Sequence, residues 1–172
     1  MCPHEPYIDG VEDKEFLSGA DEKTIEIVKE KMEGRHEQSS DIFNKEEIKC
    51  LTGLYDSNLK YADGLVWALY EKLQALGVLN KTLIVITADH GENLGDHNLI
   101  GHGSDSWNSV VHTPLIIVYP SLIPKETKVK GLTESVDIMP THPTHTLGSM
   151  LISFLHILHG AANYCQQWRW KG

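Results

Sequence analysis

The stretch from residue 87 to 103 concentrates the side chains that could do chemistry. Thr87-Ala88-Asp89-His90-Gly91-Glu92 is followed by Gly95-Asp96-His97 and then by Gly101-His102-Gly103. An Asp oxygen beside a His nitrogen suits a divalent cation, as part of a set needing two or more further ligands. Gly91 lets the backbone turn sharply and leaves room for a ligand. His102, flanked by two glycines, can approach a substrate oxygen closely. It would act there as general acid to a leaving group or as a cation toward an anion. His97 is expected to anchor the loop through a hydrogen bond. A zinc site from His90, His97 and His102 is an alternative, although their spacing matches no standard zinc pattern.

These residues need elements to hold them. Thr82-Leu83-Ile84-Val85-Ile86-Thr87 is β-rich without polar alternation, which reads as a strand buried on both faces in a parallel sheet. Leu115-Ile116-Ile117-Val118-Tyr119, closed by Pro120, reads as a second such strand. The loop between them is too long for a plain connector, and ligands in open α/β sheets bind beyond the carboxyl ends of strands. Before the first strand, a helix is expected over residues 45–76. Leu59, Ala62, Val66, Leu69, Leu73 and Leu76 form its apolar face, Gly77 its stop, and Gly53 a break into two helices. A shorter helix is expected over 20–33, with Ile25, Val28 and Met32 facing inward. This order implies an α/β fold, a mostly parallel sheet flanked by helices. Asp63 reads as a solvated carboxylate, Trp67 as a packing residue, and Lys125, Lys128 and Lys130 as an exposed basic face. Trp107, five residues after His102, is a candidate to line the site.

Composition narrows the function. The chain has 172 residues, 41% of them hydrophobic, which is enough for one core. Fifteen Lys and Arg against 24 Asp and Glu give a formal charge of -9, which argues against a nucleic-acid binder. No apolar run is long enough to span a bilayer, and the N-terminus does not read as a signal peptide. The compartment is open, with the cytoplasm as default. Cys2, Cys50 and Cys165 suggest neither a disulfide framework nor a zinc knuckle.

The same residues carry a resemblance. Tyr55-Asp56, Tyr61-Ala62-Asp63, Leu76-Gly77 and the run Asn80 to Glu92 look like the C-terminal part of the sulfatase family, in the alkaline-phosphatase superfamily. Gly95-Asp96-His97, Gly101-His102-Gly103, His112-Thr113-Pro114-Leu115 and Val136-Asp137-Ile138-Met139-Pro140-Thr141 continue the likeness, and His4-Glu5-Pro6-Tyr7 extends it more loosely. The resemblance implies a partial alkaline-phosphatase-like α/β/α sandwich. It implies that Asp89 and His90 are metal ligands to one divalent ion, usually calcium. It places His102 where the family has a Lys or His that contacts the sulfate or protonates the leaving oxygen, and His4 where another His faces the sulfate. The substrate class would be a small-molecule or glycan sulfate ester.

The chain also departs from that pattern. None of its cysteines lies in the Cys-x-Pro-x-Arg type motif that yields the family's formylglycine nucleophile, and the paired Asp residues that open a sulfatase are not found. Residues 1–141 therefore read as the C-terminal part of a sulfatase-like catalytic domain, whose partner would be a missing N-terminal half. Residues 142–172 hold no acidic residue and read as either a shifted reading frame or a diverged tail. Two alternatives stand beside sulfate-ester hydrolysis. One is a phosphodiesterase or phosphonate hydrolase of the same superfamily, and the other an inactive fragment acting only by binding.

Overall fold

The computed structural model describes residues 4, 7, 12–17, 19–34, 39–103 and 105–138, and the backbone of 151–156. The expectations for Cys2, Cys165 and the rest of the 142–172 tail lie outside the described residues.

Helix α1 spans Glu22–Glu33. Asp21 sets its start, because its carboxylate accepts the Thr24 N–H at 2.8 Å. Helix α2 spans Lys45–Ala75 and starts with a capping box. The Asn44 side chain accepts the Glu47 N–H at 2.9 Å, and the Glu47 carboxylate accepts the Asn44 N–H at 2.8 Å. Lys31 near the end of α1 donates to both Glu47 oxygens at 2.7 Å, tying the two helices together. At the far end Gly77 adopts a left-handed φ of 68°. Its N–H bonds Gln74 O while Val78 N–H bonds Leu73 O, a Schellman closure.

The expected break at Gly53 does not occur, since α2 runs through it. Gly53 serves instead as a point of close approach. A Cβ there would lie 2.6 Å from Phe16 O, so its absence lets the 12–17 segment pack onto the helix.

Strand β1 spans Thr82–Thr87 and is buried almost throughout. After it come β2 (Asn93–Leu94), β3 (Ile100–Gly101), the single-turn helix α3 (Asn108–Val111), β4 (Leu115–Val118) and β5 (Leu151–His156). One sheet has the order β4-β1-β5, and β2 and β3 form a separate hairpin. β5 pairs parallel to β1, with Thr82 opposite Leu151.

β4 corrects the expectation of a mostly parallel sheet, because it pairs antiparallel to β1, with Thr87 opposite Leu115. A parallel partner would need a crossover that carries the chain back along the sheet. Among the described residues, 88–114 hold a two-residue-per-strand hairpin with a 3-10 turn (Asp96–Asn98) at its tip and one helical turn, so the chain re-enters the sheet at the end it left. Nor is β4 buried on both faces, since Leu115 is 37% exposed.

Two apolar clusters meet along α2. Its first half packs Cys50, Leu51, Leu54 and Tyr55 with Val28 of α1, Phe43 and Ile100. Its second half packs Val66 and Leu73 against Ile84 and Ile86 of β1. One helix thus fixes the sheet and the hairpin in a common frame. Leu76 at the end of the expected stripe is exposed, as are Trp67, which stacks on Tyr70, and Lys125, Lys128 and Lys130. Asp63 is less solvated than expected, and burial pushes its carboxyl up.

Candidate active site

β1 delivers Asp89 and His90 at its carboxyl end, after the buried Ala88. The Asp89 carboxylate is exposed and accepts the His90 N–H at 3.1 Å. Its Oδ1 lies 3.9 Å from His90 Nε2. His90 Nδ1–H donates back to Gly91 O at 2.8 Å. Gly91 is pressed against α3: its N–H donates to Val110 O at 2.6 Å, and a Cβ there would collide with Ser109 O. Only glycine fits this turn.

The hairpin returns the chain to the same place. Asn93 pairs with Gly101 and Leu94 with Ile100, so Glu92 and His102 face each other one step beyond the ladder. Glu92 is 6% exposed, and its carboxylate accepts from His102 Nδ1–H at 3.0 Å. The hairpin tip needs left-handed backbone, which Gly95 (φ 106°), His97 (φ 55°) and Asn98 (φ 60°) supply. Ile100, fully buried, anchors the hairpin in the α2 core. Asn93 clamps it to the following segment. Its amide donates to Gly101 O at 3.0 Å and to Asp105 Oδ2 at 2.9 Å, and its oxygen accepts from the Ser109 hydroxyl.

His4 joins from the N-terminal segment. Three residues on, Tyr7 is buried edge-on against Tyr55 of α2. The His4 ring lies 5.1 Å from His102 and 6.2 Å from His90, centroid to centroid. His90 and His102 stack at 3.8 Å and 28°. One ring nitrogen from each of the three lies within 4.8 Å of the others.

The structure therefore brings together three of the four site residues singled out from sequence, His4, His90 and His102, with Asp89 beside His90. His97 lies elsewhere and stacks on Trp107 at 3.9 Å and 16°, so His4 takes the place that the zinc alternative gave to His97. Trp107 accordingly supports the hairpin tip. Glu92, Asn93, Asp105 and Ser109 were not assigned roles from sequence. The available signal was the pairing of two-residue strands, which puts 92 opposite 102. Cys50 packs inside the helix cluster, where burial raises its thiol, and acts as a core residue.

As a ligand set, the described residues offer three imidazoles and one exposed carboxylate. Calcium takes about six to eight oxygen ligands, so these residues alone do not fit it. No helix among the described residues is long and apolar enough to cross a membrane.

Comparison with known proteins places this geometry in context. The family model described as Sulfatase matches residues 3–149. Arylsulfatase K of Bos taurus is 30% identical over 99 residues, 58% of this chain and 18% of that protein. The multifunctional alkaline phosphatase superfamily protein PehA of Trinickia caryophylli is 29% identical over 139 residues, 78% of this chain and 23% of its own length. An arylsulfatase of Clostridium perfringens is 28% identical over 116 residues, again 23% of its length. The chain thus spans about a fifth of the curated relatives it matches. No solved structure matches significantly. With the family model covering most of its length, from His4 through the strand, the hairpin and beyond, the chain belongs to the sulfatase family.

Proposed function

We propose that this chain is the C-terminal part of a sulfate-ester hydrolase, and that His102 is its proton donor. The pairing of His102 with the buried Glu92 carries the reading. A carboxylate on Nδ1–H orients the ring and favours its charged form, leaving Nε2–H for the leaving group. In the reaction an S–O bond of the ester breaks and water is consumed. The alcohol departs with the His102 proton, and sulfate is released. His4, 5.1 Å from His102 between ring centres, faces the sulfate oxygens. Asp89 and His90 contribute to a divalent-metal site whose remaining oxygen ligands, and whose nucleophile, belong to a preceding segment. Calcium is the ion the family resemblance favours, and it requires those further ligands. The surrounding fold is read as part of an α/β/α sandwich, residues 1–141 forming the catalytic part. Nothing in the relatives favours the cytoplasmic default.

The test is hydrolysis of nitrophenyl sulfate. The chain alone should show no turnover, and calcium-dependent turnover by it would overturn the fragment reading. Joined to a preceding segment with the Cys-x-Pro-x-Arg motif, it should turn over. His102→Ala should then lower the rate by about 10²–10⁴-fold, and Asp89→Ala should abolish it. Full activity in Asp89→Ala would sink the metal assignment. A phosphodiester or phosphonate hydrolase of the same superfamily is the second reading, supported by the likeness to a protein described as a multifunctional member of the alkaline phosphatase superfamily. Faster turnover of a bis-nitrophenyl phosphate than of the sulfate would select it.

A further inference from the structure

We propose that His4, His90 and His102 form a nitrogen-ligand site for a zinc-class divalent cation, of different chemistry from the oxygen-ligand calcium site. Imidazole suits zinc, nickel and copper, whereas calcium wants oxygen, and the three convergent groups here are all imidazoles.

Distance supports this. Tetrahedral bonds of about 2.0–2.1 Å place ligand nitrogens about 3.3 Å apart. The three nitrogens already lie within 4.8 Å, so modest ring rotation closes the set. The stacked pair His90 and His102 would splay to do so.

The second shell supports it further. His ligands of metals almost always donate their other ring N–H to a carboxylate or a backbone carbonyl. Both arrangements are present. His102 Nδ1–H donates to the buried Glu92 carboxylate, and His90 Nδ1–H donates to Gly91 O. In the neutral ring each bond leaves the lone pair on Nε2, so a cation and a proton compete for that atom. Packed neighbours stand beside each ligand: Tyr7, three residues after His4, packs on Tyr55, the Gly91 turn holds His90, and the hairpin holds His102. Three imidazoles leave a fourth position for solvent or for the Asp89 carboxylate, whose Oδ1 lies 3.9 Å from His90 Nε2. A cation there would take the Nε2 lone pair of His102 and so exclude its role as proton donor. Zinc would then inhibit the hydrolase.

The experiment is a zinc titration of the full 172-residue chain against a chromophoric chelator, with cobalt as spectroscopic probe. One ion should bind per chain, undisplaced by a large excess of calcium, and cobalt should give the intense visible bands of a tetrahedral site. Glu92→Gln should weaken binding by about 10–100-fold, His4→Ala and His102→Ala by more, and His97→Ala not at all. Circular dichroism checks that each variant folds. Absence of binding, displacement by calcium, weak octahedral cobalt bands, or parent-like affinity in folded His4→Ala would each overturn the proposal. None of these readouts involves ester hydrolysis, so failure here leaves the sulfatase reading intact, and failure of that reading leaves this site intact.

Discussion

Gly91 decides whether His90 and His102 can meet. Its N–H reaches Val110 O, and the space a Cβ would need is filled by the Ser109 carbonyl. Gly91→Ala should therefore push the strand end away from α3, at a cost of about 1–3 kcal/mol from overpacking. Urea unfolding measures that cost, and an unchanged midpoint would show that α3 yields without penalty. The individual histidines were legible in the sequence because each sits among glycines, or after a Pro, or at a strand end. Their convergence was not. It depends on the register of β2 and β3, and two residues per strand carry no readable period. Glu92 escaped notice for the same reason. It sits next to Gly91 in sequence, but its partner is ten residues away across the ladder. His97 reads in the sequence as a loop anchor, and it does sit at the hairpin tip, held there by stacking rather than by the expected hydrogen bond. Its left-handed backbone and its stack on Trp107 direct it to the hairpin tip.

At the scale of elements, α2 organises the molecule, and Glu47 ties its start to α1. The carboxylate closes the capping box and receives Lys31 from α1 while only 10% of its side chain is exposed. The hydrogen bond from Lys31 is the main cause that holds its carboxyl below the ordinary range, with the Asn44 N–H adding to it against desolvation. A lowered folded-state pKa gives stability that is present above the unfolded carboxylate pKa and is lost as pH falls through the folded value. Glu47→Gln should thus cost about 1–2 kcal/mol at neutral pH, and should flatten the acid limb of the stability curve. Thermal melts between neutral pH and the carboxylate range check both, and an unchanged acid limb would remove Glu47 from the account. Both helices were legible to within about two residues, because caps and apolar spacing are local signals. Gly53 was not, because its glycine is required by Phe16 O, a contact remote in sequence. The direction of β4 was not legible either, since an apolar run reads the same whichever way it pairs.

For the whole molecule, the balance between charge and exposed apolar surface sets its behaviour. Leu122, Val129, Leu132 and Val136 are all at least 64% exposed, and Val111 and Leu115 on the approach to β4 and within it are also open. Apolar surface of this kind favours association, and it lies in the part of the chain that the family match continues through. At pH 7 a net charge of -9 opposes that association by mutual repulsion. The opposition is sensitive to pH in a particular way. The net charge shrinks toward zero as pH falls from 7 toward the sequence pI near 5.5. Acidification from neutral pH toward the pI should therefore weaken repulsion between chains and promote their association. Light scattering should rise steeply over that interval, and added salt at pH 7 should produce a smaller rise by screening. Replacing Leu132 and Val136 together by Lys should suppress scattering near the pI of the variant itself, where net charge is again zero. Scattering at that point equal to the parent's would assign association to some other surface than the 122–136 segment.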